Sequence, residues 1–267
     1  MKKLSIFAVA IAAMAFTACG GNKGTQNAEQ ADAEKSFEQS QVEEKIKTEL
    51  DSLAEALGKL DKLPIIQEGE QGIQLTDEEK QVKPEYLLSA AVAENATTLA
   101  EKYRMVSALG VDKRIAAMYD MPTDEYEAAI GKLLADINDP SFKDLEKKDN
   151  IFETSQDIYA AMEQNGRINY YWQLVAASLV EEIYVMTQNT EKFITVFNDQ
   201  SASEVTYRIV LLTDAATRLA EYDAEFEPVA KAIEPLIQIN AISVEQLKSQ
   251  LEAIKDQVVA ARNELVK

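Results

Sequence analysis

The chain has 267 residues, with 27 Lys and Arg, 46 Asp and Glu and no histidine, which gives a formal net charge of −19 at pH 7. An acidic surface of this kind repels nucleic acid and anionic lipid headgroups, so nucleic-acid binding is excluded. The lack of histidine excludes a Ser-His-Asp triad, a Glu-x-x-His di-iron site and the usual catalytic zinc site.

The N-terminal segment has the layout of a secretory signal. Lys2 and Lys3 precede an apolar stretch over residues 4–18 that ends in small side chains. This stretch is shorter than the roughly 20 apolar residues that a membrane-crossing helix needs. We therefore predict a signal peptide over residues 1–18 and not a transmembrane anchor.

The only cysteine follows this stretch directly. Phe16-Thr17-Ala18-Cys19 resembles the lipobox of bacterial lipoproteins. The resemblance implies that Cys19 becomes the first residue of the mature chain and carries a thioether-linked diacylglycerol, with acyl chains such as palmitate. Two or three acyl chains anchor a protein stably, because each buried methylene contributes about 0.8 kcal/mol. The alternative is an ordinary signal peptide with a cysteine that is not lipidated.

The resemblance also implies a location. Gly20 stands where the family uses an aspartate for retention in the inner membrane. The expected location is therefore the cell envelope, at the outer membrane and facing the periplasm. The membrane is then a partner through the lipid on Cys19 and not through a basic face.

A flexible segment is predicted to follow the lipidated cysteine. Residues 20–34 contain no large apolar side chain, so we predict a disordered tether over residues 19–34. Fifteen flexible residues span on the order of 20 Å. A single helical domain is predicted over residues 35–267.

Helical spacing of apolar residues predicts an all-α, multi-helix bundle. The first helix, over residues 35–63, carries apolar positions from Ile46 to Leu60 at alternating spacings of 4 and 3. The same alternation runs from Val244 to Leu265, after a capping box at Ser243. We predict that these two terminal helices pack together through their seams. The alternative is coiled-coil pairing between molecules.

Breaks in the pattern divide the chain between these helices. A helix over residues 84–109 is predicted to be interrupted at Gly110 and followed by a shorter helix over 112–119. Later helices are predicted to end at Asn138-Asp139-Pro140 and at Asn165-Gly166. Ser201 with Glu204 is predicted to cap the helix that follows residue 200.

Residues 167–188 are apolar on nearly every face of a helix, which predicts the most buried helix of the bundle. Glu181 and Glu182 interrupt this helix, where an ionised side chain must find a partner or a cavity. They are therefore candidate ligand-binding residues. The alternative is pairing with an arginine such as Arg104, Arg208 or Arg218.

Aromatic side chains near a polar rim give three further candidates. Tyr170 and Trp172 lie close to Arg167, and aromatics with polar neighbours can line a ligand pocket. The alternative is that these aromatics fill the core. Separately, Asp51-Ser52-Leu53 resembles the motif for O-glycosylation of exported proteins, which makes Ser52 a possible glycosylation site.

The sequence favours a lipid-anchored envelope protein that acts as a non-enzymatic interaction or structural module, with an unknown envelope protein as its partner. The alternative is a small-ligand or cation-binding lipoprotein with a pocket near Trp172 and Glu181. A third hypothesis is a carboxylate-dependent hydrolase, since a pair of carboxyl groups can act as acid and base in glycoside hydrolysis. No motif points to a cofactor or a metal, and none is expected.

Overall fold

A computed structural model of the chain describes residues 37–60, 62–67, 72–142 and 155–266. Within these ranges the chain forms helices and no strand, so the prediction of an all-α, multi-helix bundle is confirmed. The predicted signal peptide and tether, and with them Cys19, lie outside the described residues.

The helices are short to medium in length and follow one another closely. In chain order they are α1 Phe37–Gly58, α2 Asp77–Gln81, α3 Leu99–Met118, α4 Asp124–Ile137, α5 Ser155–Gln164, α6 Ile168–Gln188, α7 Thr190–Phe193, α8 Asp199–Ala220, α9 Glu227–Ile233, α10 Val244–Ala253 and α11 Lys255–Leu265. Short 3₁₀ segments connect several of them, at Pro64–Ile66, Ala90–Asn95, Pro140–Phe142, Ile194–Val196, Ala224–Phe226 and Glu234–Gln238.

The centre of the bundle is α6, as the sequence predicts. It packs against α3 and α11 on one side and contacts α5, α8 and α9 elsewhere. Nearly every side chain from Tyr171 to Thr187 is buried. Each fully buried Leu, Ile or Val contributes about 1.5–3 kcal/mol, so this helix contributes a large share of the hydrophobic stabilisation.

The seams of the terminal helices face the core, but their main partners differ from the predicted ones. The seam of α1 packs on α8 and α5, whereas α11 packs on α6 and α9. Both seams thus face larger apolar surfaces inside the bundle instead of each other. The C-terminal pattern is also divided, because the helix turns at Ile254 between α10 and α11.

The predicted interruption of α3 is wrong, because the helix runs unbroken through Gly110. Val111 and Ile115, which follow the glycine, are fully buried. Glycine in a helix costs only about 1 kcal/mol relative to alanine, and burial of these side chains outweighs that cost. The helix also begins later than the predicted residue 84, because Thr98 caps it with a capping box to Glu101.

The predicted helix ends are confirmed at two positions. Asn138 ends α4 in the left-handed conformation, with φ +47°. Gly166 follows α5 with φ +67°, which glycine adopts at little cost. The predicted cap of α8 is wrong by three residues: Asn198 accepts from the Ser201 backbone N–H at 2.9 Å and forms the capping box with Ser201.

Candidate functional site

A cavity of about 110 Å³ lies between α1, α5, α6, α8 and the turn after α1. We call it the Glu182 cavity, after the buried carboxyl on its wall. Its lining residues are Leu57, Leu60, Lys62, Leu63, Ile66, Ile158, Tyr171, Leu174, Val175, Ser178, Leu179, Glu182, Arg208 and Leu212. Most of this wall is aliphatic, and the polar groups are few.

One face of α6 forms the longest part of the wall. Tyr171, Leu174, Ser178 and Glu182 follow at spacings of three and four, which places them in one row along a helix. Val175 lies beside this row. The same helical periodicity that buries α6 therefore also aligns its polar side chains toward one cavity.

Glu182 is the buried charge of the cavity. Its Oε1 accepts a hydrogen bond from Ser178 Oγ at 2.9 Å, one helical turn earlier. Burial raises the pKa of the Glu182 carboxyl, and the positive charges of Arg208 and Arg114 and the hydrogen bond from Ser178 oppose that rise. Burial thus disfavours the ionised form of the Glu182 carboxyl, whereas the two arginines and Ser178 favour it.

The opposite wall comes from α8 and from the chain after α1. Arg208 and Leu212 are one turn apart on α8 and both line the cavity. Lys62, Leu63 and Ile66 come from the segment around the 3₁₀ turn. The cavity therefore holds one buried carboxyl, one guanidinium and one ammonium in an aliphatic surround.

The adjacent residue, Glu181, faces a different part of the bundle. Arg262 Nη2 donates to Glu181 Oε1 at 2.7 Å, and Arg262 Nε lies 2.9 Å from both carboxylate oxygens. Burial raises the pKa of Glu181, and Arg262 opposes that rise. An arginine partner is one of the two outcomes that the sequence left open, but it comes from α11 and is not among the three arginines considered.

Two of the other arginines make different contacts. Arg104 Nη1 donates to Gln173 Oε1 at 2.8 Å, and Arg104 Nε donates to the carbonyl of Leu265 at 3.0 Å. Arg218 lies at the surface of α8, where its Nε donates to Asp214 Oδ1 at 3.0 Å. Only Arg208 of the three lies near one of the buried glutamates, and that glutamate is Glu182.

A second buried carboxyl adjoins the Glu181 pair. Asp112 Oδ2 lies 3.5 Å from Arg262 Nη2 and accepts from the Leu88 N–H at 2.6 Å. Burial, and then the charge of Glu181, raise the pKa of Asp112 well above its ordinary value. When protonated, Asp112 can donate to Glu181, so one arginine serves two carboxyl groups with a single negative charge between them.

The aromatic candidates belong to the core and do not line the Glu182 cavity. Trp172 is 1% exposed and packs edge to face against Tyr171 and Tyr159. Tyr170 stacks on Tyr103 with ring centroids 4.8 Å apart. Tyr171, which lies between these two candidates in the sequence, does contribute to the cavity wall.

Arg167 is engaged with its own buried partners. Its Nη1 donates to the hydroxyl of Tyr103 at 3.1 Å, and Tyr103 donates to Asp139 Oδ2 at 2.5 Å. Asp139 is 4% exposed. The structure therefore brings Arg167 and Tyr170 together at Tyr103 of α3. None of these three residues lines the Glu182 cavity.

Ser52 is exposed on α1, and its hydroxyl donates to the Thr48 carbonyl at 3.0 Å. This position is accessible for a modifying enzyme, and glycosylation at Ser52 stays a prediction. Cys19 and the rest of the lipobox lie outside the described residues.

No protein-family model, curated protein or solved structure matches this chain. In the part of the chain that the structure describes, His, Cys, Asp and Glu side chains form no group of three that could hold a metal ion. Across the same residues, no helix has both the length and the hydrophobicity that crossing a bilayer requires.

Sequence reasoning selected Glu182 but missed most of its surroundings. Ser178 has a readable signal, since a serine four residues before a buried glutamate can donate to it along the helix. Lys62 and Leu60 have no such signal, because their place in the wall depends on how α1 ends against α6. Asp112 and Arg262 were likewise missed, as tertiary packing alone brings them to Glu181.

Proposed function

We propose that this chain is a lipid-anchored protein of the bacterial envelope whose helical body binds a small ligand in the Glu182 cavity, without catalysing a reaction. The lipobox-like segment ending at Cys19 supports the anchor and the location at the outer membrane, facing the periplasm. The observation that carries ligand binding is the cavity itself, because it combines an aliphatic wall with a few polar groups.

The buried position of Glu182 supports this proposal. A buried carboxyl costs folding free energy unless it is hydrogen-bonded, and Ser178 donates one of the several hydrogen bonds that a carboxylate can accept. A ligand in the cavity would supply further partners to the same carboxyl. Glu182 is therefore the residue that we assign to ligand recognition, with Ser178 and Arg208 beside it.

The test is a fragment screen by ligand-observed NMR on the purified Cys19→Ala chain, which lacks the lipid. Fragments that bind the cavity should lose binding in Val175→Phe, because a phenyl ring at Val175 occupies the cavity. Val210→Phe is the matched control, since Val210 is 52% exposed on α8 and does not line the cavity. If no fragment distinguishes Val175→Phe from this control, the cavity is not a binding site.

A second candidate function is a docking module for an envelope protein. Tyr207 and Val210, one turn apart on α8, are 46% and 52% exposed, and Ile237 and Ile242 are 49% and 71% exposed. Thr206 donates to the carbonyl of Ala241 at 3.0 Å, which brings these two stretches close together. Exposed apolar residues within an acidic chain suit a partner with an apolar patch and a basic rim.

A photocrosslinking amino acid at Val210 tests this second function in cells. The expected result is one crosslinked envelope protein whose yield falls at high salt, because opposite charges assist the encounter. The control places the same amino acid at Lys132, an exposed position on α4. Equal crosslinking from both positions would contradict a docking surface on α8.

A further inference from the structure

The size of the Glu182 cavity limits what it can enclose. An engineered 150 Å³ cavity holds benzene, so a volume of about 110 Å³ encloses about four or five non-hydrogen atoms. The cavity is partly open to solvent, so a longer ligand would leave its remainder in solvent. The enclosed part of the ligand is therefore a short group.

The wall selects an aliphatic group for that enclosed part. The apolar lining includes Leu57 of α1, Leu60 just after this helix, Leu174 and Leu179 of α6 and Leu212 of α8. Such side chains bury alkyl groups favourably and leave few positions where a sugar hydroxyl would find a partner. A carbohydrate is accordingly a poor occupant.

The polar groups of the wall determine the charge of the ligand. Glu182 and Arg208 attract each other, so the buried carboxyl already has an opposite charge. The other cation of the wall, Lys62, is half-buried and stays in contact with water. An anionic ligand would lie beside the Glu182 carboxyl in a chain of net charge −19. A cationic ligand would lie beside Arg208 and Lys62. Burying either ion costs far more than burying a neutral, hydrogen-bonded group.

We propose that the Glu182 cavity selects an uncharged, short-chain aliphatic compound whose polar end both donates and accepts a hydrogen bond, of which a primary amide is the simplest class. The amide N–H donates to Glu182, whose Oε1 already accepts from Ser178. The amide carbonyl accepts from the cationic side of the wall. This inference rests on the proposed ligand-binding function, and it adds the chemical class of the ligand.

The experiment measures the dissociation constants of propionamide, propionate and propylammonium by ligand-observed NMR titration at pH 7. Propionate has nearly the same shape as propionamide, propylammonium is smaller by one oxygen atom, and the three compounds differ in charge. We expect propionamide to bind at least about tenfold more tightly than either ion. We also expect Val175→Phe to abolish its binding and the exposed Val210→Phe to leave it unchanged.

Glu182→Gln tests the charge balance directly, because it removes the negative charge and keeps the shape of the side chain. A carboxylate ligand can then take the place of the missing charge opposite Arg208. Propionate should therefore bind the Glu182→Gln variant at least about tenfold more tightly than it binds the protein that retains Glu182. The affinity for propionamide should change less.

The outcomes separate this inference from the function on which it rests. Tighter binding of either ion, lost in Val175→Phe, would overturn the neutral-ligand inference and leave ligand binding at the cavity supported. Failure of all three probes, while other fragments still bind in a Val175-dependent way, would also overturn only the inference. If neither the probes nor any fragment binds, both the inference and the proposed function fail.

Discussion

Arg262 donates from Nε and Nη2 to the carboxylate of Glu181, at distances of 2.7–2.9 Å, and so joins α11 to the middle of α6. The two residues are 81 positions apart, and Glu181 is 1% exposed. The guanidinium also lies over the ring of Tyr184, with Cζ 3.9 Å from the ring centroid. Arg262 thus lies between two buried carboxyl groups, those of Glu181 and Asp112.

Removing the arginine of this pair should destabilise the fold strongly. Arg262→Ala leaves Glu181 buried without its cation, which should lower the free energy of unfolding by about 3–5 kcal/mol. Urea denaturation followed by the fluorescence of Trp172, the only tryptophan, measures the change. Arg218→Ala is the matched control, since its surface pairs should contribute less than about 1 kcal/mol. Equal losses of unfolding free energy in the two variants would contradict the larger contribution that we assign to Arg262.

The neighbouring carboxyl, Asp112, should make stability depend on pH. Its folded-state pKa is raised above the ordinary value of 3.8 by burial and by Glu181. The stabilisation from its bound proton is therefore complete below about pH 3.8 and is lost as the pH rises through the folded-state pKa. Asp112→Asn removes this titration while keeping an acceptor for the Leu88 N–H.

The expected result is a difference between the two proteins that grows with pH. Above about pH 4, Asp112→Asn should gain stability relative to the parent chain by up to about 1.4 kcal/mol per pH unit, until the folded-state pKa is passed. Urea denaturation at a series of pH values from 4 to 8 measures this slope. A difference that stays flat, or that falls with rising pH, would show that Asp112 is ionised in the folded chain.

Two glycines should respond to alanine in opposite directions. Gly131 lies at an exposed position of α4, and a Cβ there would meet no atom within 4 Å. Gly131→Ala should therefore stabilise the protein by about 0.5–1 kcal/mol through helix propensity. Gly166→Ala should destabilise it by about 1–2 kcal/mol, because φ +67° is strained for alanine. Thermal unfolding of both variants tests the pair.

The lipid anchor makes a prediction that is independent of the fold. Cys19→Ala should move the protein from the membrane fraction to the soluble periplasmic fraction, since no acyl chain can then be attached. Its urea denaturation midpoint should stay unchanged. Ser52→Ala, at an exposed position of α1, is the control and should remain with the membrane. Retention of Cys19→Ala in membranes washed with high salt would count against lipidation.

Sequence reasoning succeeded where the deciding interactions are local. The apolar faces of α6 and the ends at Asn138 and Gly166 depend on residues within a few positions, so the pattern predicts them. It failed at Gly110, where packing of α3 overrides a local preference. It also failed at Glu181, because the partner Arg262 reaches it only through the tertiary arrangement of α11 and α6.

The candidate site shows the same division. Glu182 was selected because a charge in an apolar helix is visible in the sequence. The wall opposite it was not predictable, since Lys62 and Leu60 approach α6 only through the way α1 packs on α8 and α5. Consecutive residues of a helix point about 100° apart, so Glu181 and Glu182 reach different surroundings although the sequence treats them alike.

The bond from Arg104 Nε to the carbonyl of Leu265 spans 161 positions of the chain. During synthesis, α3 leaves the ribosome long before α11 has been made. Arg104 and the apolar surface around it therefore lack their α11 contacts during that time. Arg104 cannot make this contact until α11 has been synthesised, because a contact between distant positions forms only after both segments are available. The N-terminal half of the bundle therefore reaches its final packing only when α11 docks on α6 and α3.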